Sequence, residues 1–355
     1  MLVSNQLIAS GFPSGDLVIA DATKDLQVSA ISTGGAPGAM LLSPDKKTTL
    51  AIDASTKAVY SIDNATEVLS GTTAFPNPPT SMVVMPDNAT AYAAIRNSGT
   101  VTLFNYTTFA ITNNIAVPTV RTLVLSHNGK VLLAFSDDVD TLTYIDTSSN
   151  TPTTISGLDR PVYAVFTSDD SKAFILSCGF ECGGTAASVT VLDIASKTPG
   201  ASTPLPGAEF GILDSSGNNL YVAGTCPQKT GACAQFGGAL SVITTSSLAV
   251  ASTAGISNGF HQVMAFGANN KLFIGSRTCD NVSFGCLSIY DTSAGKATVD
   301  TPNGDVTGLQ AITGRNVMYV AEGGELRILD TSTGAPTSTQ IDVLGKAIDV
   351  KAIDQ

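Results

Sequence analysis

Three ionisable residues recur at one position of an internal repeat and are the first candidates for chemistry. When the repeats are aligned, Arg121, Glu209 and His261 fall just before the first strand of their units. Four other units carry uncharged residues there: Gly38, Thr80, Val162 and Thr307. A histidine with a carboxylate partner could act as a general base, and an arginine could hold an anionic group. Because polar residues at strand starts are more often simply solvated, we assign no catalytic residue and keep these three as candidates.

A short acidic cluster is the candidate for metal binding. Asp137, Asp138 and Asp140 lie in one hairpin connection, and hard oxygen ligands at such spacing could hold Ca²⁺. The spacing does not match an EF-hand loop, and an acidic hairpin tip in a chain of net charge −11 is most often a solvated turn. We therefore assign no metal and no cofactor, and a divalent cation is the open alternative.

The six cysteines form three local pairs. The pairs are Cys178 with Cys182, Cys226 with Cys233, and Cys279 with Cys286. Each pair brackets the connection between two neighbouring strands, which bring the thiols together, so we predict three disulfides. Disulfides indicate an extracytoplasmic location: periplasm, cell surface or secreted. The alternative is a metal–thiolate cluster, but structural zinc pairs usually have shorter spacing and the chain has only two histidines.

The composition excludes several classes of protein. Lys plus Arg number 18 against 29 Asp plus Glu, and this acidic balance repels nucleic acid and anionic lipid. The lack of tryptophan excludes WD-type and quinoprotein propellers, and two histidines exclude a polyhistidine copper or haem site. No apolar run reaches the length of about 18 residues that would indicate a transmembrane helix. With 43% apolar residues, the chain can fill a large core.

The elements that must position these residues are short strands in a repeat of about 44 residues. An alternating apolar stretch that ends in Asp or another polar residue returns eight times, as in 17–21 and 59–63. A second apolar stretch precedes each copy, and in most units an earlier one ends in a tight Pro, Asp, Asn or Gly turn. No stretch of ten residues shows helical spacing. This pattern predicts an all-β propeller of four-stranded blades, labelled A to D in chain order.

The ends of the chain predict how the ring closes. The first copy has strands B, C and D but no A, whereas 347–352 is an orphan A-like strand. We therefore predict one domain, 1–355, with eight blades, in which 1–35 plus 346–355 form the shared closing blade. Seven blades is the alternative, if the first thirty residues pack elsewhere.

The turns between strands A and B resemble those of the YVTN-type repeat, a surface-layer-like propeller family with Ser-Pro-Asp-Gly followed by a Tyr-Val strand. The segments that carry the resemblance are 42–46, 85–88, 125–130, 221–224 and 319–322. None has the full motif. The resemblance implies a propeller and an extracytoplasmic or cell-surface setting, and related lactonase-like propellers include enzymes. It transfers no catalytic residue.

The sequence predicts a binding function. We expect a non-enzymatic, monomeric binding module that presents a loop-rich rim to a protein, a glycan or another cell-surface component, because no catalytic motif is present. The alternative is a lactonase-like hydrolase with its site at the central channel mouth around Arg121, Glu209 and His261. A third reading is a purely architectural cell-wall component.

Overall fold

The computed structural model describes residues 6–12, 16–280, 282–343 and 345–354. In these ranges the chain forms thirty-two β-strands and three short 3₁₀ turns, and no α-helix is present there. The 3₁₀ turns are Arg96–Ser98, Gly179–Cys182 and Gly231–Cys233. The all-β prediction is confirmed.

Every sheet contains four antiparallel strands, which keep the labels A to D. The A strands are β4 (Pro37–Leu42), β8 (Ser81–Val84), β12 (Val120–Leu125), β16 (Pro161–Phe166), β20 (Phe210–Leu213), β24 (Phe260–Phe266), β28 (Val306–Ala311) and β32 (Lys346–Ala352). The B strands are β1 (Gln6–Phe12), β5 (Thr48–Asp53), β9 (Thr90–Ile95), β13 (Val131–Ser136), β17 (Lys172–Cys178), β21 (Asn219–Thr225), β25 (Lys271–Arg277) and β29 (Val317–Glu322).

The outer half of each sheet consists of strands C and D. The C strands are β2 (Asp16–Asp21), β6 (Ala58–Asp63), β10 (Thr100–Asn105), β14 (Leu142–Asp146), β18 (Ala187–Asp193), β22 (Gly237–Thr244), β26 (Leu287–Asp291) and β30 (Glu325–Asp330). The D strands are β3 (Leu26–Ser32), β7 (Val68–Ala74), β11 (Ala110–Ala116), β15 (Thr151–Ile155), β19 (Thr198–Pro204), β23 (Ala249–Ser257), β27 (Lys296–Val299) and β31 (Pro336–Ile341).

The sheets are arranged as a β-propeller, as the repeat predicts. Seven sheets consist of four consecutive strands, and an eighth joins β1, β2 and β3 to β32. Strand A of each sheet contacts strand A of both neighbours, and the circle closes from β32 to β4. The pairing of β1 with β32 runs from Leu7 opposite Ala352 to Phe12 opposite Lys346, which is the predicted closure. Of the predicted closing segments, residues 1–5, 13–15 and 355 lie outside the described residues.

The core lies between neighbouring sheets. Tyr92 and Ala94 of β9, for example, pack with Leu132 and Ala134 of β13 in the next sheet. Strands B and C are covered on both faces, so they read as almost continuous apolar runs, as in Val131–Ser136. Strand D faces solvent and is rich in Thr, Ser and Asn, as in Ala110–Ala116.

An aspartate at the end of most C strands shapes the following turn. The carboxylate of Asp63 accepts hydrogen bonds from the backbone N–H groups of Ala65 at 3.0 Å and Thr66 at 2.8 Å. The hydrogen bonds from Thr66 hold the pKa of Asp63 below its ordinary value. The other aspartates of this kind are Asp21, Asp146, Asp193, Asp291 and Asp330. They are turn-forming residues, as their repetition predicts.

Strand A contains a β-bulge near its start in several sheets. In β12, Val120 pairs with Ser136 and Thr122 with Phe135, so Arg121 is the extra residue. The extra residues of three other A strands are Val162, Gln262 and Thr307. A bulge changes the direction in which the following side chains point, so it determines which residue faces the channel.

An ion pair reinforces the seam at which the ring closes. Arg315, in the turn between β28 and β29, donates hydrogen bonds of 2.7 and 3.0 Å to the two carboxylate oxygens of Asp25, in the turn between β2 and β3. The Tyr319 hydroxyl donates to the same carboxylate. The first and last parts of the chain are thus joined by side chains as well as by the β1–β32 ladder.

Candidate functional site

A cavity of about 680 Å³ opens at one mouth of the central channel. It lies where strands A begin and strands B end, so its wall consists of D–A and B–C connections. Residues from five consecutive sheets, from β8–β11 to β24–β27, contribute to it. Its size falls within the range of roughly 300 to 1,000 Å³ that is typical of small-molecule sites.

Arginine is concentrated at this mouth. The chain has six arginines, and three of them, Arg96, Arg121 and Arg160, line the cavity. Arg96 and Arg121 share one carboxylate: Nη2 of Arg96 lies 2.5 Å from Oδ2 of Asp137, and Nη1 of Arg121 lies 3.5 Å from Oδ1. Asp137 is 14% exposed, whereas Arg96 and Arg121 are 51% and 40% exposed. Two guanidinium groups on one carboxylate leave a surplus positive charge that faces the cavity.

The acidic cluster that was the Ca²⁺ candidate is engaged by these arginines. Nη1 of Arg160 lies 3.7 Å from Asp138, and its Nε lies 3.6 Å from Asp140. The backbone N–H of Arg160 also donates to Asp140 at 3.3 Å. All three carboxylates therefore face a cation. Across the described ranges, no group of three His, Cys, Asp or Glu residues is placed to hold a metal ion.

Aromatic rings form the apolar part of the cavity. The guanidinium of Arg121 lies 4.7 Å from the ring centroid of Phe260, although two sheets separate them in the chain, so this contact spans the mouth. Phe260 is 41% exposed. Also in the lining, the rings of Tyr163 and Phe210 pack with centroids 4.5 Å apart. Burial raises the pKa of Tyr163 to about 12, which keeps the phenol neutral.

Glu209 and His261 contact each other in the wall of the cavity, and their remaining polar atoms contact the backbone. One Glu209 oxygen accepts hydrogen bonds from the His261 backbone N–H at 2.8 Å and faces its Nδ1 at 3.0 Å, and the other accepts from the Thr225 N–H at 3.0 Å. Nε2 of His261 lies 3.0 Å from the Ser257 carbonyl oxygen. The imidazole is fully buried, and both of its nitrogens face oxygen acceptors. This arrangement joins two sheets and leaves no ring nitrogen for a substrate.

The predicted equivalence of His261 with Arg121 is wrong by one residue. His261 pairs with Ser276, and the bulge follows it, so Gln262 occupies the position of Arg121. Because side chains alternate along a strand, this shift turns His261 into the protein and Gln262 towards the channel. Arg121, Glu209 and His261 all line the cavity, as predicted, but only Arg121 is substantially exposed.

The three predicted disulfides are confirmed. Cys178–Cys182, Cys226–Cys233 and Cys279–Cys286 join residues whose Cα atoms are 6.0, 6.2 and 5.5 Å apart. All lie in B–C connections of three consecutive sheets. The first one borders the cavity, and the Arg160 Nε donates a hydrogen bond of 3.4 Å to the Gly183 carbonyl directly after it. This disulfide-bonded loop therefore helps to position the Arg160 guanidinium.

Sequence reasoning missed Arg96, Arg160 and Phe260. It considered one aligned position at the start of strand A, whereas Arg96 follows strand β9 and Arg160 precedes β16. One signal was available: the first three arginines of the sequence fall in three consecutive units, each at the same end of the sheet.

Comparisons with known proteins support the fold alone. No protein-family model matches the chain, so the YVTN family itself is not confirmed, and no curated protein matches it. The dihydro-heme d1 dehydrogenase NirN, solved in complex with DHE, is similar with a TM-score of 0.74 and 13% identity, over 99% of this chain and 75% of that one. A functionally unknown protein from Desulfotomaculum acetoxidans has a TM-score of 0.60 and 14% identity, over 84% of this chain and 100% of that one.

A third solved structure gives the same result. The β-propeller domain of Cps50 (Swd1) from Myceliophteria thermophila has a TM-score of 0.59 and 11% identity, over 83% of this chain and 96% of that one. At such identities the likeness shows the propeller fold alone. In the described part of the chain, no helix has the length and apolarity needed to cross a membrane.

Proposed function

We propose that this chain is an extracytoplasmic binding module whose ligand enters the cavity at the channel mouth. The observation that carries the proposal is that five sheets and three B–C connections converge on one opening with exposed arginine and phenylalanine side chains. Exposed, convergent polar and aromatic groups in a cavity of this size are characteristic of ligand sites.

The three disulfides support the extracytoplasmic part of the proposal, because disulfides persist in oxidising compartments. They lie on the same face as the cavity, where they restrain the loops around it. The likeness to NirN, at 13% identity, supports the propeller only and carries no ligand over to this chain.

The hydrolase alternative lacks such support. A general base needs a free atom within hydrogen-bond reach of the substrate, and the hydrogen bonds of Glu209 and His261 are all made within the protein. We therefore assign this pair a structural role in the wall of the cavity.

A cavity-filling variant tests the proposal. Gln262 is exposed at the bulge and lines the cavity, so Gln262→Trp should block it without disturbing the core. Gln27→Trp, on the exposed outer strand β3, is the matched control. Ligands from a panel of sugars, organic acids and peptides should raise the melting temperature of the wild type and of Gln27→Trp but not of Gln262→Trp.

Two results would overturn the proposal. The first is that every compound in the panel changes the melting temperatures of Gln262→Trp and Gln27→Trp equally. The other is turnover of lactones or esters that His261→Ala or Glu209→Ala abolishes while the fold is retained, which would establish the hydrolase instead.

A further inference from the structure

We infer that the ligand of the cavity is a small carboxylic acid that carries a six-membered ring, with its carboxylate bound between Arg96 and Arg121. This inference rests on the proposed function and specifies the class of ligand. It comes from the distribution of charge and aromatic surface around Asp137.

The carboxylate part follows from the shared ion pair. Arg96 and Arg121 contact a single carboxylate, at 2.5 and 3.5 Å, and both remain about half exposed to the cavity. A planar guanidinium matches a carboxylate in a bidentate geometry. The carboxylate of a ligand would therefore accept hydrogen bonds from the remaining N–H donors of the two arginines. Asp137 is mostly buried and contacts both guanidinium groups, so it limits how far apart they can move.

Two of the other lining carboxylates, Glu209 and Asp138, contact groups other than Arg96 and Arg121. Glu209 is held by His261, and Asp138 faces Arg160. Glu181 lies in the 3₁₀ turn of the Cys178–Cys182 loop, next to the Arg160 contact with Gly183. The Arg96–Arg121 side of the cavity is therefore its cationic side, in a chain whose net charge is −11.

The ring follows from the aromatic wall. Phe260 is exposed and is contacted by Arg121 across the mouth, and Tyr163 and Phe210 lie on the same lining. An exposed cation–π contact is weak, so an incoming carboxylate can draw Arg121 away from Phe260 at little cost. The released ring face then offers a flat apolar surface to the body of the ligand. Both a sugar acid and an aromatic acid have this combination of groups.

Calorimetric titration with matched probes tests the inference. D-glucuronate and benzoate represent the two sources, with methyl glucoside and benzamide as neutral counterparts and inorganic phosphate as an anion without a ring. We expect one of the two acids to bind, its neutral counterpart and phosphate to bind at least tenfold more weakly, and added salt to reduce the affinity.

Single substitutions test whether Arg96, Arg121 and Asp137 determine the affinity for the acid. Arg121→Gln and Arg96→Gln should each weaken binding by about tenfold or more, because a charge-assisted hydrogen bond is lost. Arg277→Gln, outside the cavity lining, should leave it unchanged. Asp137→Asn should strengthen binding, because it removes the internal competitor for both guanidinium groups. A merely structural role of Asp137 cannot produce that gain.

The outcomes separate the inference from the proposed function. The inference would be overturned if acids and their neutral counterparts bound equally, or if wild type and Arg121→Gln bound the acid equally. The proposed binding function would still stand if Gln262→Trp abolished that binding. Phosphate that binds as tightly as the acids would also overturn it, since recognition would then need no ring. If Gln262→Trp abolishes the binding of no compound, the proposed function itself is wrong.

Discussion

Glu322 should make the stability of this protein fall as the pH rises through neutrality. It ends strand β29 with a fully buried side chain, and one carboxylate oxygen lies 2.5 Å from Nη1 of Arg327. The other oxygen, Oε1, is buried without a hydrogen-bond partner among the described residues. Burial raises the pKa of Glu322 to about 7, against the pull of Arg327, and the charges of Asp300 and Glu325 raise it further.

The sign and size of the effect follow from that pKa. The ordinary value is 4.5, so the folded state holds the proton more tightly than the unfolded state. The stabilisation is fully present below pH 4.5 and is lost as the pH rises through about 7. A difference of about 2.5 pKa units corresponds to about 3 kcal/mol of unfolding free energy, an upper bound for a partly compensated ion pair.

Urea denaturation at pH 5 and pH 8 measures this change. Subtracting the Glu322→Gln profile from that of the wild type removes every contribution that the two proteins share. We expect the wild type to lose about 2 to 3 kcal/mol more than Glu322→Gln between these pH values. Glu181→Gln, which changes an exposed glutamate in the 3₁₀ turn after β17, is the matched control and should behave like the wild type. Equal losses in wild type and Glu322→Gln would refute the reasoning.

Three further predictions concern the ring and its loops. Deletion of 346–355 removes strand β32 and exposes an edge, so we expect loss of cooperative melting in calorimetry; an unchanged melting temperature would contradict closure by this strand. Arg315→Gln removes the seam contact with Asp25 and should cost about 1 to 3 kcal/mol in urea unfolding, whereas the exposed Lys24→Gln should be nearly neutral. Dithiothreitol should leave the far-UV circular dichroism intact and lower the free energy of unfolding by at most about 2 to 3 kcal/mol per bridge. It should also lower the affinity for any ligand of the cavity, because the Cys178–Cys182 loop positions Arg160. Unchanged affinity would argue against that coupling.

The fold was readable from the sequence because its determinants are local and repeated. Alternating apolar stretches such as Val131–Ser136 and turn-forming residues such as Asp63 carry their signal within a few positions. Eight copies reinforce one another, and the spare strand at 347–352 has only one missing place to fill. The cysteine pairs were equally local, since each joins the two ends of one connection.

The site was less predictable because its contacts join distant parts of the chain. Arg121 meets Phe260 across the mouth, and no local pattern encodes that meeting. A bulge of a single residue was enough to misplace His261, because a shift of one position in a strand reverses the direction of the side chain. The contacts of Asp137 with Arg96 and Arg121 likewise needed three-dimensional neighbours to be seen.

The bulge in strand A separates the residues that pair the strands from the residues whose side chains face the channel mouth. Arg121, Val162, Gln262 and Thr307 are the extra residues of their strands and stand outside the paired ladder. Their side chains can therefore differ from sheet to sheet without altering the register on either side. A lineage could exchange a cation for an amide or a hydroxyl at one of these points and acquire a new ligand preference in a single step, on a scaffold whose melting behaviour stays the same.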